Sequence, residues 1–221
     1  MPPLRLQTVL RYPSAMLLLV QLAGVLLYPL MEQATRGRAY FGIFGVVVLG
    51  LSLRMVYRSP GVNWVAFLLA VLVVVLSLVN VTVSSVTLTL ITSTLEAAFY
   101  FYAAGCLIAY MQQDDRATSD ELFAAGATFT LLAWAFAYCY TVCQVLSPGS
   151  FAAQSALPSR SWMELLFLSF TCLSGVGLGD IVPLSPMARA LVMLEEFTGV
   201  MYIALVVSRL IGLTLRRQDA T

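Results

Sequence analysis

Apolar residues along the chain fall into long blocks separated by short polar ones. A helix needs about 20 apolar residues to cross the hydrocarbon core of a bilayer. Six blocks reach that scale, at Ser14–Met31, Tyr40–Val56, Val62–Val79, Ser84–Met111, Glu121–Leu146 and Met187–Leu215. A seventh, Ser161–Leu173, has 13 residues and would be roughly 20 Å long at 1.5 Å per residue. It is too short to cross and is predicted to enter and leave from one side. Two helix starts are marked by a hydroxyl followed three residues later by glutamate, Thr118 with Glu121 and Ser161 with Glu164. The second fixes where the short helix begins.

The expected fold class is therefore an all-α membrane protein, with six transmembrane helices plus a re-entrant helix and the loop after it. Composition agrees. The chain is 60% hydrophobic and 10% charged, against about 25% charged residues in a soluble domain. Its mean hydropathy is +0.90. So few charges cannot cover a water-facing surface. A net charge of +1 gives no case for a nucleic-acid partner. Arg5 and Arg11 precede the first block as in a signal peptide, but no clean cleavage site follows, and a retained span is expected.

All twelve basic residues are arginine. With the N-terminus inside, eight (Arg5, Arg11, Arg54, Arg58, Arg116, Arg209, Arg216, Arg217) fall at inner ends and four (Arg36, Arg38, Arg160, Arg189) in outer loops. The even number of spans then puts both termini in the cytoplasm of a multi-pass protein of the cell membrane. The short helix starts on the outer side, and its C-terminus points towards mid-membrane. Partial negative charge at that end favours a cation.

Histidine is absent, which removes the commonest general base and excludes triads built on it. No nucleophile–base pair is visible, so an enzyme is not expected. Cys106, Cys139, Cys143 and Cys172 lie in apolar stretches and read as packed thiols.

The informative segment follows the short helix: Thr171-Cys172-Leu173-Ser174-Gly175-Val176-Gly177-Leu178-Gly179-Asp180-Ile181-Val182-Pro183. Glycine stands at every second position from 175 to 179. Glycine accepts φ > 0 where other residues resist it. Alternating handedness can turn successive carbonyls to one side, and a row of carbonyls can replace the water around an alkali cation. Irregular backbone at membrane depth must be buried in protein or line a cavity.

Helix, short helix, glycine-rich segment and long final helix, from about Glu121 to Leu215, resemble the pore of the tetrameric potassium-channel superfamily. The family's filter usually reads Thr-Val-Gly-Tyr-Gly-Asp. Here it reads Gly175-Val176-Gly177-Leu178-Gly179-Asp180. The resemblance implies a membrane domain over 1–112, similar to the first four helices of six-helix members, and a pore domain over 113–221. It implies stacked K+ sites on the backbone carbonyls of Gly175, Val176, Gly177 and Leu178, with Ser174 just below facing an inner cavity. It implies supporting roles in the pore helix for Ser161, Glu164, Phe167 and Thr171, and a gating hinge at Gly199. It also implies a partnership with three identical subunits, a homotetramer in the lipid bilayer, and no cofactor beyond K+ in the filter.

The departures have consequences. Gly175 stands where the family has the threonine of the innermost site, and Leu178 where it has a tyrosine. Phe167 and Leu168 replace the usual tryptophans, so a softer filter with fewer hydrogen bonds is expected. Besides a potassium channel, a nonselective monovalent cation channel passing Na+ as well as K+ and a non-conducting scaffold fit the sequence.

Voltage sensing needs several charges on one helix, since one charge is worth about 2.3 kcal/mol per 100 mV. The fourth span has no Arg or Lys, so strong intrinsic voltage gating is not expected. Its carboxylate, Glu96, is either a functional group or a hydroxyl-bonded residue at a helix contact. Arg54 and Arg58 read as inner-leaflet anchors. One of Glu195 and Glu196 should face the pore helix or the outer vestibule. Asp180 either concentrates cations at the outer mouth or holds the filter by hydrogen bonds.

Overall fold

The computed structural model describes residues 12–33, 37–57, 59, 62–83, 85–113, 118–153 and 159–219. Of the arginines used for orientation, Arg5, Arg11, Arg36, Arg58 and Arg116 lie outside the described residues, as do the side chains of Arg38, Arg216 and Arg217.

Each apolar block is a helix: α1 Pro13–Gln33, α2 Gly37–Val56, α3 Asn63–Val83, α4 Val86–Met111, α5 Ser119–Leu146 and the short α6 Trp162–Leu173. The last block is α7 Pro186–Tyr202, a π-helical segment Ile203–Val207 and α8 Ser208–Asp219. Among the described residues, four helical stretches are long and apolar enough to cross a membrane, Asn63–Asn80, Val86–Met111, Ser119–Leu146 and Pro186–Leu213. The apolar parts of α1 and α2 among the described side chains are shorter, Pro13–Tyr28 and Phe44–Val56.

The all-α expectation needs one correction. β1 Phe151–Ala153 pairs antiparallel with β2 Ile181–Pro183, with Phe151 opposite Pro183 and Ala153 opposite Ile181. Three residues per strand carry no readable period, so the ladder was not legible in the sequence.

Helix α5 is the central element and packs against α1, α4, α6 and α7. Its residues Leu131 to Tyr138 are buried on every face, as expected of a helix that is apolar all round. Helix α3 shows the opposite: Phe67, Leu68, Val71, Leu72, Val75 and Leu78 are exposed, and apolar surface of this kind suits lipid.

An aromatic cluster joins α2 and α4 to the rest. Trp134 of α5 meets Tyr100 of α4 edge-on at 5.6 Å, Phe44 of α2 at 6.0 Å and Trp162 of α6 at 5.4 Å. Offset and edge-on pairs of this kind add about 0.5–1.5 kcal/mol each beyond area burial. At the opposite end, Asp120 Oδ2 accepts from Ser14 Oγ at 3.0 Å and from Tyr110 Oη at 3.3 Å. These contacts tie the starts of α1 and α5 to the end of α4. Arg209 Nη1 donates to Met111 O at 2.8 Å, so a cation from α8 caps the C-terminus of α4.

Candidate functional site

The segment from 160 to 184 is held at both ends, and its own sequence supplies the first restraint. Ser161 caps α6, with Glu164 N donating to Ser161 Oγ at 3.3 Å and Ser161 N donating to Glu164 Oε2 at 2.6 Å. The Thr118–Glu121 box at the start of α5 is formed in the same way. Arg160 then pairs with Glu164 at 3.4 Å. A second restraint comes from α5. Gln144 Nε2 donates to Arg160 O at 3.0 Å, and Arg160 N donates to Gln144 Oε1 at 2.7 Å. One amide side chain thereby satisfies the backbone immediately before the helix. The sequence reading missed Gln144, because nothing in a lone glutamine signals a partner 16 residues away.

The far end of α6 turns on glycine. Gly175 N donates to Cys172 O at 3.0 Å and Val176 N to Thr171 O at 3.0 Å. With Gly175 at φ +73°, this is the Schellman pattern, which places a left-handed residue just past a helix and satisfies its last carbonyls. Gly177 N also donates to Thr171 O, at 3.1 Å. Ser174 Oγ donates to the same oxygen at 3.2 Å, and Thr171 Oγ1 bonds back to Leu168 O at 2.8 Å. Thr171 is therefore the point on which the glycine segment is mounted.

Left-handed backbone then recurs at every second position: φ is +73° at Gly175, +56° at Gly177 and +77° at Gly179. Nothing lies within 4 Å of where a Cβ would stand at any of the three. Conformation, rather than space, is what demands glycine here. Residues Ser174 to Asp180 are all exposed in the single chain, with Val176 at 62% and Leu178 at 60%. Beyond them Ile181 is buried, and β2 is tied to β1, with Leu184 N donating to Ser150 O at 2.8 Å.

Helix α7 packs behind this segment along one stripe, Ala188, Val192, Glu195, Gly199 and Tyr202. A Cβ added at Gly199 would lie 1.9 Å from Leu173 O and 2.8 Å from its carbonyl carbon. The missing side chain is what lets α7 touch the end of α6. The helix is regular at Gly199, and the π-helical segment begins at Ile203. Tyr202 Oη, just before it, donates to Ala125 O of α5 at 2.6 Å.

Four residues before Gly199, Glu195 is wholly buried, whereas Glu196 is exposed. Tyr140 Oη of α5 donates to Glu195 Oε2, and Ser169 Oγ of α6 bonds Glu195 Oε1. Ser169 Oγ also lies 2.7 Å from Ala133 O of α5. One carboxyl thus joins the three helices around the glycine segment. The softer, contact-packed cuff expected from Phe167 and Leu168 leaves out this cluster. Phe167 is 39% exposed and Leu168 is buried, but the polar contact comes from the next residue, Ser169. The stripe Val192–Glu195–Gly199–Tyr202 was the signal that separates Glu195 from Glu196, since these positions recur on one helix face.

Outside this region, Glu96 of α4 faces Tyr138 of α5, so it does sit at a helix contact. The four cysteines are free thiols. Among the described residues, no group of three or more His, Cys, Asp or Glu could hold a metal ion.

A family model described as an ion channel matches residues 124–215. The match runs from α5 through the glycine segment into α8. No curated protein matches the chain, and no solved structure matches it.

Proposed function

We propose that this chain, whose residues 124–215 match an ion-channel family model, is a member of the potassium-channel superfamily and forms a homotetrameric channel that passes K+ between four copies of the 174–180 segment. The observation that carries the reading is the alternation of left-handed glycines at 175, 177 and 179 directly after the capped end of α6. Unpaired, irregular backbone cannot face lipid. Other copies packed around the seven consecutive exposed residues, Ser174 to Asp180, would supply that cover.

In the assembly, the carbonyls of Gly175, Val176, Gly177 and Leu178 line the axis and replace the hydration shell of the ion. Ser174 lies at the inner end and Asp180 at the outer mouth. Support for a stable filter comes from Thr171, which accepts two of its amides, and from Glu195, which fixes α6 against α5 and α7. The first domain, 1–112, supplies four spans without an arginine-bearing fourth helix, and the pore domain is 113–221. With six spans, both termini face the cytoplasm. Strong voltage gating is not part of the reading, because α4 offers no positive charge to move.

Purified protein in liposomes should dissipate a K+ gradient faster than empty liposomes, and particle images should show fourfold symmetry. Absence of both leaves a non-conducting scaffold. A second reading, a nonselective monovalent cation channel, is favoured by one observation. Gly175 serves as a helix cap without a hydroxyl, and Leu178 is exposed with no phenol. Reversal potentials in mixed K+ and Na+ separate the two readings, and Leu178→Tyr should raise selectivity if the missing phenol matters.

A further inference from the structure

A cavity of about 550 Å³ lies between α2, α3, α4 and α5, away from the glycine segment, and reaches Trp162 at the start of α6. That volume falls within the roughly 300–1,000 Å³ range of small-molecule sites. Its walls combine valine and leucine with a set of polar groups that includes Ser77, Asn80, Thr92, Thr141 and the carboxyl of Glu96.

Two of these groups are left without partners. Thr92 is 6% exposed and its hydroxyl has no hydrogen bond. Asn80 donates through Nδ2 to Thr89 Oγ1 at 3.2 Å, but its Oδ1 has no partner. A buried polar atom without a partner costs about 1–3 kcal/mol, and such atoms call for an explanation. Both are satisfied if their side chains turn towards a polar group in the cavity.

The chemistry of the occupant follows from the wall. Among the described lining residues none is basic, and the one carboxylic acid is Glu96. The ring of Tyr138, which also lines the cavity, stacks on Tyr100 with centroids 5.8 Å apart and 8° between planes. Trp162 lies 5.6 Å from Tyr138. A carboxyl on a wall that also carries three aromatic rings suits an ammonium group, by ion pairing and by attraction to the rings. Glu96 stands 11 residues into α4 from Ser85, about 16 Å along the helix. Between them the wall is apolar with hydroxyls at intervals.

We propose that this cavity is a binding site for an amphiphilic primary amine, with its ammonium on Glu96, Thr92 and Asn80 accepting hydrogen bonds near it, and its aliphatic body against α2 and α3. Because the wall ends on Trp162, an occupant touches the first residue of α6.

The test is photo-crosslinking in lipid nanodiscs with a six-to-eight-carbon aliphatic amine carrying a diazirine, followed by mass-spectrometric mapping of adducts. The matched alcohol and the matched carboxylic acid are the comparison probes. Adducts should concentrate on the segments around Val73–Asn80 and Thr89–Glu96, at least tenfold more with the amine than with either comparison probe. Glu96→Gln removes the charge, and should cut amine labelling at least tenfold. Ser77→Phe fills the cavity from α3 and should do the same, which keeps the test decisive if Glu96→Gln does not assemble. Equal labelling by amine and alcohol would mean a groove for lipid tails and would overturn the proposal. So would amine labelling that survives both substitutions, or adducts spread over the lipid-facing helices. Crosslinking needs no ion flux, so its outcome is separate from that of the channel reading.

Discussion

Replacing Gly199 by alanine tests how the inner helix is coupled to the ion path. The new methyl carbon would stand 1.9 Å from Leu173 O, and contacts below 3.0 Å are essentially never found. Since the obstacle is backbone, no rotamer change relieves it. Either α7 or the end of α6 must yield by about 1.1 Å. Overpacking of this kind costs about 1–3 kcal/mol, offset by about 1 kcal/mol from the better helix propensity of alanine. The net loss of stability is therefore modest, up to about 2 kcal/mol per chain. Ion selection should suffer more. Leu173 is two residues from Gly175, and Val176 and Gly177 both bond Thr171, so the Schellman turn carries the displacement straight into the glycine segment. Misplacing a binding group by about 1 Å can cost on the order of 100-fold in a preorganised site. We expect the K+ over Na+ permeability ratio of Gly199→Ala, measured from reversal potentials in planar bilayers, to fall at least tenfold. A small drop in melting temperature should accompany it. If Gly199 served only as a hinge, alanine would shorten channel openings and leave the ratio intact. An unchanged ratio together with wild-type thermal stability would refute the close-packing argument.

Glu195→Ala should lower thermal stability by about 1–3 kcal/mol, because it strands the buried hydroxyl of Tyr140 while Ser169 keeps Ala133 O, and Glu195→Gln by less; tryptophan-fluorescence melting curves check both. Gly177→Ala forces a side chain into φ +56°, a strain of about 1–2 kcal/mol in each copy. Assembly measured by native mass should survive, and K+ flux in liposomes should be lost. Arg209→Ala removes the cation that caps Met111 O. Hydrogen exchange should then speed up in the last turn of α4, and an unchanged exchange rate there would show that the contact carries no weight.

The sequence by itself determined the helices, both capping boxes and the alternating glycines, because each depends on neighbours within a few residues. Apolar run length sets a helix in lipid, a hydroxyl and a glutamate three residues apart close a cap, and glycine alone admits repeated positive φ cheaply. Those local rules located Ser161, Glu164 and the 175–179 segment before any contact was known. What they could not reach are pairings set by the way helices stack. Tyr140 meets Glu195 across 55 residues, and Arg209 reaches Met111 across 98. The β1–β2 ladder, the burial of Glu195 and exposure of Glu196, the contact that makes Gly199 a glycine and the cavity at Glu96 are all of this kind. Each is decided by which surface of one element meets another; spacing along α7 groups Glu195 with Gly199 and Tyr202 on one face, but it does not say what that face meets.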